Sequence, residues 1–389
     1  MTIAVGSPAS ADLADAAGDW AAAYIHIPFC ARLCPYCDFA VVTGRDGSAQ
    51  RYVAALRAEI GREPEWRPLD AVYVGGGTPS RLSPQQLGAI LGDLRRRFGL
   101  NEAAEVSLEA NPEDWDSSLA EGLRAAGFAR VSFGVQSFDP TVLEALGRAH
   151  TPVQAATAVS VARRAGFQSI NIDLIFGTPG ETEASWRETV ERALALGPDH
   201  LSLYALTVER GTELSRAIQA GAPAPDPDGQ ADAYEVAEEL CRAAGLVHYE
   251  VSNWARPDHG CVYNLITWAQ GEYLAFGTGA HGHRDGVRRR NVRRFDAYLD
   301  WVEGGLSPQQ GEEVLDRWGR EQERLMIGLR RTAGVVPGEG GEALLRSPGG
   351  ERLIEAGVLG LIDGRLAVLR PLLGDVVGRA VLALQPGER

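Results

Sequence analysis

Between residues 21 and 205, short apolar runs alternate with longer amphipathic stretches. Residues 22–27 are a short apolar run, and 71–74, 106–108, 131–135, 170–174 and 200–204 likewise read as strands. Residues 48–62, 83–98, 116–126, 152–165 and 182–196 read as helices. Ser83 is placed to cap one of them with Pro84 in its first turn, and Gly127, Gly166 and Gly197 stand where three others stop. Strand and helix taking turns six times predicts a parallel sheet with helices outside it. Right-handed crossovers would curl such a sheet into a full or partial barrel.

Polar residues gather just past the predicted strand ends: a cysteine loop, Gly77 and Thr78, Glu109, Gln136 and Asp173. The C-terminal ends of the strands are where α/β barrels place their active sites. In the loop, Cys30, Cys34 and Cys37 are spaced CxxxCxxC. Three thiolates are one short of the four that close a structural metal site, and thiolates select iron–sulfur clusters or zinc. A 4Fe–4S cluster on three thiolates leaves one iron open to a small molecule. A zinc site completed by His26 or Asp38 is the alternative. Tyr36, beside the third cysteine, favours the cluster, because an aromatic ring there can pack against a nucleoside base.

Beyond residue 205 the pattern weakens. Residues 206–300 are mixed, with a Pro/Asp-rich loop expected at 222–228. Residues 316–331 are helical, runs at 359–362 and 366–369 flank the hairpin signal Asp363-Gly364, and 372–384 form a closing helix. These elements predict a small winged-helix-like module. The expected division is a frayed leader at 1–20, a barrel with its extension at 21–305, and the module at 306–389. From Gly311 onward there are 12 acidic and 11 basic residues, which leaves no basic face for reading DNA.

The formal charge of −14 disfavours non-specific nucleic-acid binding. All 38 basic residues are arginine, so lysine Schiff-base chemistry is excluded. No run approaches the ~20 apolar residues of a membrane span, and the first residues lack the pattern of a secretory signal. Three of the five cysteines fall within eight residues, which points to metal ligation in a reducing, cytoplasmic setting.

From Tyr24 onward the chain resembles the oxygen-independent coproporphyrinogen oxidase-like family of radical S-adenosylmethionine (SAM) proteins, in its haem-chaperone branch. The resemblance rests on the stretch from Tyr24 through Phe39 around the three cysteines, and on Gly75-Gly-Gly-Thr-Pro-Ser80 and Glu109-Ala-Asn-Pro112. It rests equally on Gly134-Val-Gln-Ser-Phe138, Gly147-Arg148, Asn171-Ile-Asp-Leu174 and Gly279-Ala-His-Gly282. It implies a partial (β/α)6 radical SAM barrel with the C-terminal module. It implies a 4Fe–4S cluster on Cys30, Cys34 and Cys37, whose open iron chelates SAM and passes it the electron that releases a deoxyadenosyl radical. Tyr24, Tyr36, Gly75, Gly76, Gly77, Thr78, Glu109, Gln136, Arg148, Asp173 and Ala205 would line the SAM site. The glycines would allow close backbone approach. Glu109 and Asp173 would accept from the ammonium or ribose, and Arg148 would pair with the carboxylate. The partners implied are haem, an apo-haemoprotein recipient, and an electron donor such as a flavodoxin or ferredoxin.

Two departures bear on activity. The oxidases carry a further cysteine two positions after the third; here that position is Phe39. Decarboxylation of coproporphyrinogen is therefore not expected, although a radical enzyme acting on a porphyrin or other substrate is the alternative to a chaperone. The haem chaperones carry His-Asn-x-x-Tyr-Trp. Here the stretch runs from Tyr263 to Trp268, with Thr267 at the tyrosine position, so only Asn264 and Trp268 remain. Haem iron also accepts phenolate and thiolate ligands. Tyr263, Cys261 and His281 are the candidates, with Trp268 as an aromatic wall, and amphipathic packing is the other reading of Tyr263 and Trp268. The cluster Arg288–Arg290 with Arg293 and Arg294 could grip haem propionates or form a solvated turn.

Overall fold

The computed structural model describes residues 20–386, so all but the last residue of the expected leader lies outside the described residues. Six strands, β1 (Ala21–Ile27), β2 (Leu69–Gly76), β3 (Leu100–Ala110), β4 (Arg130–Gln136), β5 (Ser169–Phe176) and β6 (His200–Ala205), lie side by side in chain order. Each pairs in parallel with the next. The crossovers carry α1 (Ala49–Arg62), α2 (Pro84–Arg97), α3 (Ser117–Ala126), α4 (Pro140–Ala145), α5 (Pro152–Ala165) and α6 (Glu183–Ala195). This is the predicted partial barrel.

Local chemistry sets the helix ends. Ser83 and Gln86 close a capping box at the start of α2, as do Thr151 and Gln154 at α5. Gly127 and Gly166 end α3 and α5 in the left-handed conformation that only glycine adopts without strain.

Residues 206–300 hold α7 (Glu213–Gln219), α8 (Pro227–Ala243), β7 (Val247–Glu250), β8 (Asn253–Ala255), α9 (Val262–Trp268), β9 (Glu272–Phe276), β10 (His281–Arg284), β11 (Val287–Asn291) and α10 (Phe295–Glu303). β9 pairs in parallel with β1 on the side away from β2, so a seventh parallel strand extends the barrel. β10, β11 and β12 (Gln309–Val314) continue antiparallel beyond it, and β8 and β7 continue antiparallel beyond β6. The expected loop at 222–228 is shorter than its composition suggests. The Asp226 carboxylate accepts from the Asp228 and Gly229 amides, and α8 starts at Pro227.

The C-terminal module has a core of its own, built on Leu325, Leu344, Leu353, Leu366 and Val381. It comprises α11 (Arg317–Gly328), α12 (Gly338–Arg346), α13 (Pro348–Glu355), the hairpin β13 (Leu359–Ile362) and β14 (Arg365–Val368), and α14 (Gly374–Leu382). α12 is hidden in the sequence by its glycines. A side chain at Gly340 would meet Leu325, and one at Gly341 would meet Pro337, so close packing overrides helix propensity there. The module joins the barrel through main-chain bonds from Val251 N to Arg330 O (2.9 Å) and from Thr332 N to Tyr249 O (3.1 Å).

The helices bury their apolar faces on the outside of the sheet in one large cluster. Trp186 on α6 is 1% exposed, packs its ring centroid 5.4 Å from that of Phe176, and donates its indole N–H to the Ala233 carbonyl of α8 at 2.7 Å. Trp186→Ala leaves a cavity and an unpaired carbonyl, so equilibrium urea unfolding should report a loss of about 3–5 kcal/mol.

Candidate functional site

At the C-terminal ends of β1–β6 a cavity of about 420 Å³ opens to solvent. Cys30, Cys34 and Cys37 line one wall together with Tyr36. Gly76, Gly77, Thr78, Glu109, Gln136, Arg148, Asp173 and Ala205 line the remainder, so twelve of the sequence-derived residues share one space. Tyr24 and Gly75 sit behind it. Tyr24 stacks on Tyr73 and Tyr263, with ring centroids 6.4 and 6.0 Å apart.

The glycine run does a different job from the one expected of it. A β-carbon on Gly77 would lie 2.8 Å from the Pro28 carbonyl carbon and 2.9 Å from the Ile27 oxygen, and one on Gly76 would meet the His26 ring at 2.5 Å. The missing side chains make room for the start of the cysteine loop, and Gly77 N donates to Ile27 O at 2.7 Å. The run therefore seats the loop against the barrel, and close approach of backbone to ligand is not its sole use.

Glu109, at the end of β3, accepts from Tyr73 OH (2.9 Å) and Gly76 N (3.0 Å). Asp173, on β5, accepts from Ser132 Oγ (2.6 Å) and Asn171 Nδ2 (2.8 Å). Burial pushes both carboxyls up, Glu109 to about 7 with Asp173 adding to the push. Two buried acids facing one cavity without a cation between them fit an ammonium-bearing ligand.

Arg148 reaches Asn111 Oδ1 and Gly134 O, both at 2.6 Å, and places Nη1 3.7 Å from Cys34 Sγ. Its Nε is buried with no partner among the described residues. Gln136 sits at φ 68° where the β4–β5 register shifts, a strained left-handed turn that aims its side chain beside Gly134 and Arg148. Asn111 was not singled out from the sequence. It ties Thr78 (3.0 Å) to Arg148, and the signal was its place in the Glu109-Ala-Asn-Pro run past a strand end.

The thiols fit a cationic cluster. Burial raises the Cys30 thiol to about 11 and pushes Cys37 up, and the neighbouring thiols add to the effect. A bound metal centre supplies the positive charge that favours the thiolate form of Cys30 and Cys37. Of the two fourth ligands considered for zinc, Asp38 lines the cavity with the thiols and His26 is committed elsewhere. Both His26 nitrogens are engaged, with Ala40 O at 2.8 Å and Tyr24 OH at 3.1 Å. No three His, Cys, Asp or Glu side chains among the described residues gather around one ion position.

The altered haem motif falls on α9, and its two aromatic residues do not share a pocket. Tyr263 is enclosed by Tyr24, Tyr73 and Tyr273. Trp268, five residues on and roughly 140° around the helix, hydrogen-bonds Glu250 and lies under Arg330 at 5.8 Å. Cys261 is 2% exposed, its amide bound to Tyr249 OH and its thiol pushed up to about 12 by burial. In this packing α9 does not bring a phenolate or thiolate and the Trp268 ring to one pocket. α9 is a plug held in a polar barrel interior, where Val262 N donates to Glu105 (2.9 Å). Of the three candidate ligands only His281 is exposed, and partial burial and the nearby Arg290 keep its imidazole below its ordinary value.

The sequence profile described as Radical SAM superfamily matches residues 24–193. Fold and cysteine loop together define a radical SAM protein, a class whose domain implies a 4Fe–4S cluster and SAM. The chain belongs to the HemW family within that class. It is 41% identical to the haem chaperone HemW of Mycobacterium tuberculosis over 90% of this chain and 94% of that one. It is 39% identical to HemW of Synechocystis over 81% and 79% of the two chains. The solved coproporphyrinogen III oxidase HemN of Escherichia coli has the same fold, with a TM-score of 0.80 at 24% identity over 95% of this chain and 92% of that one. No helix among the described residues is long and apolar enough to cross a membrane.

Glu59, Glu109, Glu181 and Glu250 all have carboxyls lifted to about 7, chiefly by burial. An unfolded chain releases these protons near pH ~4.3. The folded protein therefore holds extra protons between there and pH 7, and their stabilisation fades as pH rises through 7. His26, His200 and His248, held below their ordinary value by burial, act in the opposite sense up to pH ~6.5, so the carboxyl effect is read as a difference between two proteins. Cluster-free Glu109→Gln should gain on wild type in stability as pH rises from 5 to 7, by at most one proton, or about 1.4 kcal/mol per pH unit, as read by denaturant midpoints across pH.

Proposed function

We propose that the protein is a cytoplasmic haem chaperone that binds haem and delivers it to apo-haemoproteins. In this reading it carries a 4Fe–4S cluster on Cys30, Cys34 and Cys37 and a SAM molecule in the adjoining cavity. The observation that carries the reading is the joining of those cysteines with Glu109, Asp173 and Arg148 in one cavity, in a chain 41% identical to a haem chaperone.

When bound, cluster and SAM supply one-electron chemistry, with a flavodoxin or ferredoxin as donor. The chain's own residues bind and orient. Glu109 and Asp173 receive the SAM ammonium and ribose, Arg148 pairs with its carboxylate, and Tyr36 covers the adenine. Gly77 and Thr78 hold the loop that carries the thiolates, and Thr78 Oγ1 lies 3.7 Å from Cys30 Sγ. Phe39 is 66% exposed at the cavity mouth, at the position of the oxidases' extra cysteine, so the chain offers no thiol there for oxidase chemistry.

Anaerobically purified protein should contain about four irons and four sulfides per chain. Changing any of Cys30, Cys34 or Cys37 to Ala should remove them; colourless protein with stoichiometric zinc would sink this reading. Reduced protein supplied with SAM should bind haem, by difference spectroscopy, yet leave coproporphyrinogen III unconverted. Vinyl-group formation in that assay, without haem binding, would make the protein an oxidase.

A further inference from the structure

The haem-chaperone reading leaves the haem without a seat, because the helix bearing the altered motif is buried inside the barrel. A seat is available on the outer side of the cysteine loop. There β10 begins and β11 ends, and His281 and Arg290 are directly opposed across the two strands. Both are exposed. Arg293 follows on the same rim, its Cα packed near Gly279, and it too is exposed.

Neither Arg290 nor Arg293 has a carboxylate partner among the described residues. Their neighbours differ in this. Arg288 pairs with Glu323 and Glu313, while Arg289 stands opposite Glu312 and turns to the other face of the strand. Arg290 faces Gly311, which brings no acid. The Arg290 and Arg293 guanidinium groups both lie close enough to His281 to act on its imidazole.

This rim touches the cysteine loop. A β-carbon on Gly279 would lie 2.6 Å from that of Ala40, so the turn before His281 rests on the loop. The next residue along, Phe39, carries an exposed ring. Haem is an apolar plate with an iron that takes an axial nitrogen and with two carboxylates on one edge. Imidazole, guanidinium pair and phenyl ring match those parts in turn.

We propose that this rim is the haem seat: His281 is the axial ligand, Arg290 and Arg293 bind the propionates, and Phe39 covers part of the macrocycle. The inference rests on the haem-chaperone reading and names the site that reading needs. Aspects of it are independent of cluster chemistry, because ferric haem alone is the probe.

The test is a Soret titration of the full chain with ferric haem, with electron paramagnetic resonance of the complex. Wild type should give a histidine-ligated spectrum. His281→Ala should lose that signature and weaken binding at least tenfold, and added imidazole should restore the signature. Arg290→Glu with Arg293→Glu should weaken haem binding at least tenfold while keeping the histidine signature. Haem dimethyl ester, which lacks free carboxylates, should bind that double variant as it binds wild type. Tyr263→Phe should behave as wild type. Circular dichroism of each variant separates loss of binding from loss of fold. A His281→Ala protein with the wild-type spectrum, or a double variant with undiminished affinity, overturns the seat and leaves the chaperone reading standing. Wild type that binds no haem overturns both.

Discussion

The structure depends on a main-chain contact that no side chain could survive. At the end of β2, Gly76 and Gly77 lie so close to His26 and to the Ile27–Pro28 main chain that a β-carbon would collide with atoms that cannot move aside. The hydrogen bond from Gly77 N to Ile27 O closes the contact. Because β1 and β2 are already locked in parallel register, this contact fixes where the chain leaves β1, and with it the origin of the cysteine loop. The orientation of the three thiols over the barrel mouth therefore follows from backbone geometry, before any metal contributes.

The barrel interior is polar to an extent its strand sequences only hint at. Asn171 contacts Ser132, Asp173 and Ser202, and its carbonyl oxygen meets His200, which in turn meets Tyr249. Arg130 is buried there with Glu105 and the His259 carbonyl. Such a network is tolerable only when nearly every member is satisfied. The start of α9 and the segment before it supply further partners: His259 O accepts from Arg130, and the Cys261 and Val262 amides donate to Tyr249 and Glu105.

Most of the six-stranded frame was legible because local signals and long-range packing agree in it. The strand runs carry an apolar face toward the helices, and Ser83, Thr151, Gly127 and Gly166 mark helix ends by chemistry that acts within one turn. The cysteine loop, Gly77, Thr78, Glu109, Gln136 and Asp173 were legible from their places at strand ends, whereas Gly76, Arg148 and Ala205 came only with the family resemblance. What sequence could not show is set by distant contacts. β9 is too short and mixed to announce itself, and becomes a strand by pairing with β1. α12 is glycine-rich and helical only against Leu325 and Pro337. Tyr263 and Trp268 read as one motif along the chain, yet helix rotation sends them to different surroundings.

The contact between Ala40 and Gly279 has a thermodynamic meaning beyond packing. One side of it belongs to the loop that carries Cys37, the other to the turn that carries His281. If ligation at the thiols steadies the loop, that order is transmitted to the turn across a contact too tight to slip. Linkage then requires reciprocity: whatever the cluster adds to affinity at the rim, a cargo at the rim must return to the cluster by the same factor. A loaded protein would hold its iron and sulfide more tightly than an empty one. Delivery of the cargo would in turn leave the metal centre more exposed to loss, a built-in clock on the unloaded state.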